Sequence, residues 1–127
     1  MLKELTVKTS SRTELVLIDR EVTGVVKESG IEAGICVLWV PHTTAAVTIN
    51  ENADPDVVRD ILHETEKIVP FQDGYHHSEG NSAAHIKSSL FSPSLSLIIN
   101  ESQLILGTWQ SIYFCEFDGH SQKEIRM

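Results

Sequence analysis

The sequence predicts a single α+β domain over residues 1–127, with mainly antiparallel, sandwich-like sheets and about three helices. Three observations predict it. Short stretches of alternating or wholly apolar residues occur at both ends of the chain, as strands do. Segments with helical spacing, each with a start signal, lie between them. The strands come in runs rather than alternating one by one with helices, which favours antiparallel sheets over a parallel α/β fold.

Each element follows in order. Glu4 to Thr9 alternates polar and apolar residues, the pattern of a half-buried strand. Ser10 to Arg12 reads as a turn, and Glu14 to Ile18 as the partner strand of a hairpin. Asp19 is placed to cap a short helix with Val22, Val25 and Val26 inward and Gly30 at its end. Gly34 to Val40 is apolar on both faces and reads as a central strand covered on two sides. Pro41 ends it, and Thr44 to Asn50 follows as a strand hairpinned to it. On this strand His42, Thr44, Thr48 and Asn50 share one face, and Ala45, Val47 and Ile49 the other.

Asp54-Pro55 joins an N-cap to a proline at the first helical position, and the apolar spacing runs to about Ile68. A polar loop from Pro70 to Gly80 leads to Asn81, which is placed to cap a third helix ending near Leu90. His85, Ser88 and Ser89 fall on one side of that helix. Leu95 to Ile99 is a strand, Asn100 to Gln103 a turn, and Leu104 to Leu106 the start of the next strand. Ile112 to Phe117 is a strand on which Gln110, Ile112, Phe114 and Glu116 share a phase. Asp118-Gly119 reads as a turn, with an edge strand in the tail.

Composition narrows the function. The chain has 10 basic and 18 acidic residues, a formal charge of −8, and no basic cluster. That argues against nucleic acid and against an anionic membrane surface as partners. It leaves room for a small phosphorylated ligand whose charge a bound cation offsets. No apolar run approaches a membrane span, and the start of the chain lacks a signal-peptide pattern. Cys36 and Cys115 sit in apolar runs and read as buried thiols of a reducing, cytoplasmic compartment.

Six histidines is a high count for this length. His42 follows a strand end, His77 lies in the polar loop, and His85 follows it on the third helix. Three imidazoles leave the full charge of a divalent ion, zinc above all, free to hold an anion or act as a Lewis acid. The same histidines also read as solvated loop residues, with His85 serving only its helix. The small residues after Asn81 leave backbone N–H groups open to an anion, with Ser88 nearby. Glu51 and Glu116 are the carboxylates placed to act as general base or to position water. Neither a Walker sequence nor a nucleophile elbow is present.

Several segments taken together resemble the YjbQ family. These are Pro41-His-Thr-Thr-Ala45, Ile49-Asn-Glu-Asn-Ala-Asp-Pro55, Glu79-Gly-Asn81 with Ala84-His-Ile-Lys-Ser-Ser89, Leu106-Gly-Thr-Trp-Gln110, and Cys115-Glu-Phe-Asp-Gly119. The resemblance implies a homotrimer with a histidine-lined pocket. His42, His77 and His85 match its metal-binding positions, and Asn50, Glu51, Asp54, Gln110 and Glu116 match its polar motifs. It also implies a thiamine-phosphate synthase-like transfer, joining a pyrimidine diphosphate to a thiazole phosphate with release of pyrophosphate. The substrate-binding residues expected on these grounds are Thr44, Asn50, Asn81, Ser88 and Gln110. A binding trimer that holds metal and anion without catalysis is the competing expectation.

Overall fold

The structure is a computed structural model and describes residues 1–127. Its strands are β1 (Glu4–Lys8), β2 (Glu14–Leu17), β3 (Gly34–Trp39), β4 (Ala45–Glu51), β5 (Ser94–Asn100), β6 (Gln103–Leu104), β7 (Gln110–Glu116) and β8 (Gln122–Arg126). Its helices are α1 (Asp19–Ser29), α2 (Pro55–Ile68) and α3 (Ser82–Phe91). The strands form a five-stranded sheet, β1-β8-β3-β5-β6, and a three-stranded sheet, β2-β7-β4, with every pair antiparallel. The fold is therefore α+β, as the sequence predicts.

The two sheets meet face to face because alternate residues of their strands are apolar. Leu38, Val40, Leu97, Ile99 and Ile125 of one sheet and its strand ends meet Ala45, Val47, Ile112 and Phe114 of the other. The inner stripe of α1, Val22 and Val26, closes this core. Phe114 is completely buried, a burial that contributes about 1.5–3 kcal/mol. On the far side of the three-stranded sheet, Ala84 and Phe91 of α3 pack on Ala46, Cys115, Phe117 and Leu15.

Helix boundaries follow the local signals. Asp54 accepts a hydrogen bond from the Asp56 N–H at 2.9 Å, with Pro55 at the first position of α2. Gly30 ends α1 in the left-handed conformation, φ 69°. Asp19 differs from its expected role. Residue 18 occupies the cap position, and the Asp19 carboxylate accepts from the Ile112 N–H of β7 at 2.5 Å. It ties α1 to the sheet instead of capping the helix.

Connectivity departs from the sequence expectation in three places. β1 and β2 are not a hairpin: β1 pairs with β8, and β2 with β7. β3 and β4 are likewise in different sheets. The tail strand β8 is not an edge, since it lies between β1 and β3. In each case the chain switches sheets where a tight turn was expected. The three crossings meet at one end of the sandwich, linked by Thr9 N–H to Ser121 O at 2.9 Å, Gly119 N–H to Arg12 O at 3.0 Å, and Phe117 N–H to Thr44 O at 3.2 Å. A further correction concerns β3, expected to be covered on both faces. Cys36 and Leu38 face the core, but Ile35, Val37 and Trp39 are exposed.

Candidate functional site

The loop between α2 and α3 is fastened at several points. Glu66 of α2 accepts from Lys87 of α3 at 2.6 Å and from the Phe71 N–H at 3.0 Å. The Lys87 hydrogen bond holds the Glu66 carboxyl below its ordinary range, against the opposing effect of burial and with help from the Phe71 N–H. The Arg12 guanidinium lies 3.9 Å over the Phe71 ring, and the Tyr75 hydroxyl donates to Pro70 O at 2.6 Å. This anchored loop brings His77 against His85 of α3. Their rings meet edge to face, with centroids 5.5 Å apart. Glu79 Oε1 stands 3.9 Å from His77 Nε2.

Asn81 opens α3 without capping it by its side chain. Its amide donates to Asp118 at 3.0 Å, and its Oδ1 is buried without a hydrogen-bond partner. The first N–H groups of α3 are therefore uncapped by Asn81, beside the histidine pair. Ser88 faces away from this side. It is buried with Ala83, Ala84 and Lys87, whereas His85, Ile86, Ser89 and Leu90 form the outward stripe of α3.

His42 lies elsewhere. Its Nε2 lies 2.8 Å from Glu124 Oε2 and 3.2 Å from the Glu124 backbone nitrogen. Glu124 alternates with the buried Lys123 and Ile125 of β8, so it projects from the outer face of the five-stranded sheet. His77 and His85 belong to the α3 side, beyond the other sheet. The expected convergence of all three histidines does not occur within one chain. No three His, Cys, Asp or Glu side chains are grouped so as to hold a metal ion. The donor chemistry fits a divalent ion in part: two imidazoles are paired, and a tetrahedral site needs three or four donors.

Glu116 is fully buried at the seam of the sheet crossings. Thr9 donates to it at 2.8 Å, the Asp118 N–H at 3.2 Å, and Ser121 and Lys123 complete the set. Burial pushes its carboxyl up, but the bonds from Lys123, Ser121, Thr9 and Asp118 prevail and hold it below the ordinary value. Both oxygens are engaged in holding the crossings together, so Glu116 has no free face for a substrate proton.

Asn50, Glu51 and Gln110 occupy the opposite end of the same strands. The register pairs Ala45 with Glu116 at one end and Glu51 with Gln110 at the other. Seven residues of strand separate these ends by about 20 Å. Asn50 accepts from the Glu51 N–H at 2.7 Å, and Gln110 accepts from the Gly107 N–H at 2.8 Å, closing its own loop. The Tyr113 hydroxyl donates to the Glu51 carbonyl at 2.9 Å. Thr44 is at the first end, half-buried near Asn81 and Asp118 through its bond to Phe117. The structure thus groups Thr44, Asn81, His77 and His85 on the α3 side, with His42 held on the five-stranded sheet, and leaves Asn50, Glu51 and Gln110 apart.

Sequence reasoning missed Glu124, Asp118 and Lys123 as partners of His42, Asn81 and Glu116. Lys123 carried a signal: it shares the strand phase of Ile125, which marks an inward lysine in need of a counter-charge. Both cysteines are free and buried, and burial pushes both thiols up, away from thiolate reactivity.

Comparison with known proteins agrees with this architecture. A family model described as UPF0047 protein YjbQ-like matches residues 3–127. The UPF0047 protein YugU of Bacillus subtilis is 51% identical over 120 residues, covering 94% of this chain and 91% of that one. The UPF0047 protein MJ1081 of Methanocaldococcus jannaschii is 48% identical over 124 residues, covering 98% and 90%. The crystal structure of an uncharacterized conserved YjbQ/UPF0047 protein from Clostridium acetobutylicum superimposes with a TM-score of 0.96 at 48% identity, covering 98% of each chain. No helix is long and apolar enough to cross a membrane.

Proposed function

The chain belongs to the UPF0047 YjbQ-like family, and from that premise we propose that it is a cytoplasmic, metal-dependent enzyme acting on a small phosphorylated compound. The observation that carries the reading is the His77–His85 pair beside the start of α3. His77 and His85 would hold a divalent ion, zinc in the first instance, which supplies positive charge and Lewis acidity where a phosphoryl group is bound.

The protein's own groups have separate tasks. N–H groups at the start of α3 orient phosphate oxygens, favoured by the positive end of the helix. Asn81 is held at the start of α3 by its hydrogen bond to Asp118. Glu79 is the carboxylate closest to His77, at 3.9 Å, and is positioned to direct a water or take its proton. Lys87 and Glu66 keep α2 and α3 in register behind the site. Transfer of the thiamine-phosphate synthase type fits this scheme as one substrate pair among phosphorylated compounds.

A second reading, a homotrimer that binds metal and anion without catalysis, is favoured by the fate of two carboxylates. Glu116 is engaged in the seam, and Glu51 stands at the opposite end of β4. Release of phosphate or pyrophosphate by zinc-loaded protein separates the two. The assay takes phosphate monoesters, nucleoside diphosphates, and a pyrimidine diphosphate paired with a thiazole phosphate. Turnover on at least one, reduced about 10–100-fold or more by His85→Ala, is the expected outcome. Anion binding without turnover on any of them would replace the enzyme by the binding trimer.

A further inference from the structure

β3 has a stretch of hydrogen-bonding edge that no other strand pairs. Its residues Gly34–Trp39 all pair with β5, but only Trp39 pairs with β8, opposite Arg126. The phase of the ladder follows from its neighbours. Val40 N–H donates to Pro93 O at 2.8 Å, so the even positions of β3 turn their backbone groups towards β5. Ile98, the partner of Ile35, accepts instead from the Ile105 N–H on its other side, at 2.9 Å. Ile35 and Val37 therefore direct their N–H and C=O groups away from β5, along the line of β8, where no strand meets them. An edge of this kind is a template for another strand.

A cavity of about 300 Å³ opens beside it. Nine of its ten lining residues are hydrophobic, among them Val25 and Val26 of α1, Ile31, Cys36, Ile99 and Met127. The tenth, Ser29, already donates to Val26 O and accepts the Ile31 N–H, so the cavity selects for apolar groups. The strand register explains where the cavity falls. With Arg126 opposite Trp39, Ile125 lies opposite Val40 and Met127 opposite Leu38. Both turn inward, Ile125 fully buried and Met127 packed against the core. The next inward place on that line is opposite Cys36, which lines the cavity.

We propose that this slot binds an extended peptide segment of a partner protein by strand addition, with one large apolar side chain seated in the cavity. An antiparallel segment on the line of β8 exchanges backbone hydrogen bonds with Val37 and Ile35. Its residue between those two lies opposite Cys36 and turns into the cavity. The motif read is three residues long, with a bulky apolar residue at the centre. Backbone bonds provide attachment and the cavity provides selection, as at other strand-addition sites. The unpaired edge is what points to a peptide, since a free hydrocarbon offers nothing to two N–H and two C=O groups. The slot lies on the five-stranded sheet, away from His77 and His85 on the α3 side, and needs no metal.

The test is titration of the isotope-labelled full chain with blocked pentapeptides Lys-Val-X-Val-Lys, read from amide NMR shifts and hydrogen exchange. With leucine or phenylalanine at X, the Ile35 and Val37 amides are expected to shift and to exchange more slowly, with a Kd of about 1 mM or tighter. With glycine at X the cavity stays unfilled, and Kd is expected to rise about tenfold or more. Val37→Pro removes one edge N–H and obstructs an incoming strand without touching the ladder to β5. Cys36→Phe fills the cavity from within. Each is expected to weaken the leucine peptide about tenfold or more, with circular dichroism unchanged. The leucine–glycine comparison needs no variant, so it decides the matter even where a variant fails to fold. No shift at Ile35 and Val37 with about 10 mM leucine peptide, equal Kd for leucine and glycine, or undiminished binding to folded Val37→Pro would each overturn the proposal. Toluene entering the cavity while no peptide shifts the edge amides would make it a pocket for free apolar molecules only. Edge amides protected without peptide, and more so at higher protein concentration, would assign the edge to a second copy. Either result overturns the peptide site.

Discussion

Replacing Lys123 with methionine is expected to destabilise the fold by about 3–5 kcal/mol at pH 7, because it leaves a buried carboxylate without its cation. Glu116 is fully buried, and Lys123 is its only charged partner. Methionine keeps most of the side-chain volume, so the loss reports charge rather than a cavity. Replacing Glu116 and Lys123 together removes both charges, and the double variant is expected to lose less than the Lys123 variant alone. The pH dependence has a definite sign. The folded carboxyl lies below its ordinary value of 4.5, so its contribution is complete above about pH 4.5 and is lost as pH falls through the folded value. Urea unfolding at pH 7 and near pH 3.5 measures both effects. The gap between wild type and Lys123→Met should narrow in acid; a constant gap would remove the buried ion pair as its cause.

Gly119→Ala is expected to cost at least about 3 kcal/mol and to lower the melting temperature by roughly 10 °C or more. A Cβ at this position would stand 2.2 Å from the carbonyl oxygen of Ser11 and 2.8 Å from Glu116 Cγ. The first neighbour is backbone, so no side-chain rotation relieves the overlap. Gly119 is where the β7–β8 crossing runs against the β1–β2 crossing, and its N–H donates to Arg12 O at 3.0 Å. Gly24 is the control: nothing lies within 4 Å of a Cβ there, and it sits in the interior of α1. Gly24→Ala should leave stability unchanged or raise it by about 0.5–1 kcal/mol. Equal thermal shifts for the two variants would contradict the close packing assigned to the seam.

Elements were more legible than their connections. Asp54-Pro55 marks the start of α2 because the cap and the proline act within one turn. Val22, Val25 and Val26 mark the inner side of α1 because helical spacing is local. Strand partners are not local. Alternation in Glu4–Lys8 says which face is buried but not whether β2 or β8 lies alongside, and three expected turns prove to be crossings between sheets. The all-apolar β3 shows the opposite ambiguity. Its second face is apolar yet exposed, a pattern that serves equally for a strand buried inside a chain and for one buried between chains.

The candidate site divides in the same way. His77 and His85 could be paired from the sequence because one anchored loop joins a histidine to the helix that carries the other. Thr44 and Asn50 share a strand face, yet they stand near opposite ends of β4, a separation that face periodicity does not convey. Glu116 looked like a functional acid because a charge among apolar strand residues needs a reason. That reason is Lys123, which the fold brings to it across the crossing rather than from a ligand.

The proposed function stands on His77 and His85 as ligands of a divalent ion. Its most direct test is elemental analysis of protein purified without chelators, beside a His77→Ala, His85→Ala double variant of unchanged circular dichroism. About one zinc-like ion per chain is expected in the wild type and none in the variant. Wild-type protein free of metal, and still free of it after dialysis against zinc, would contradict the claim.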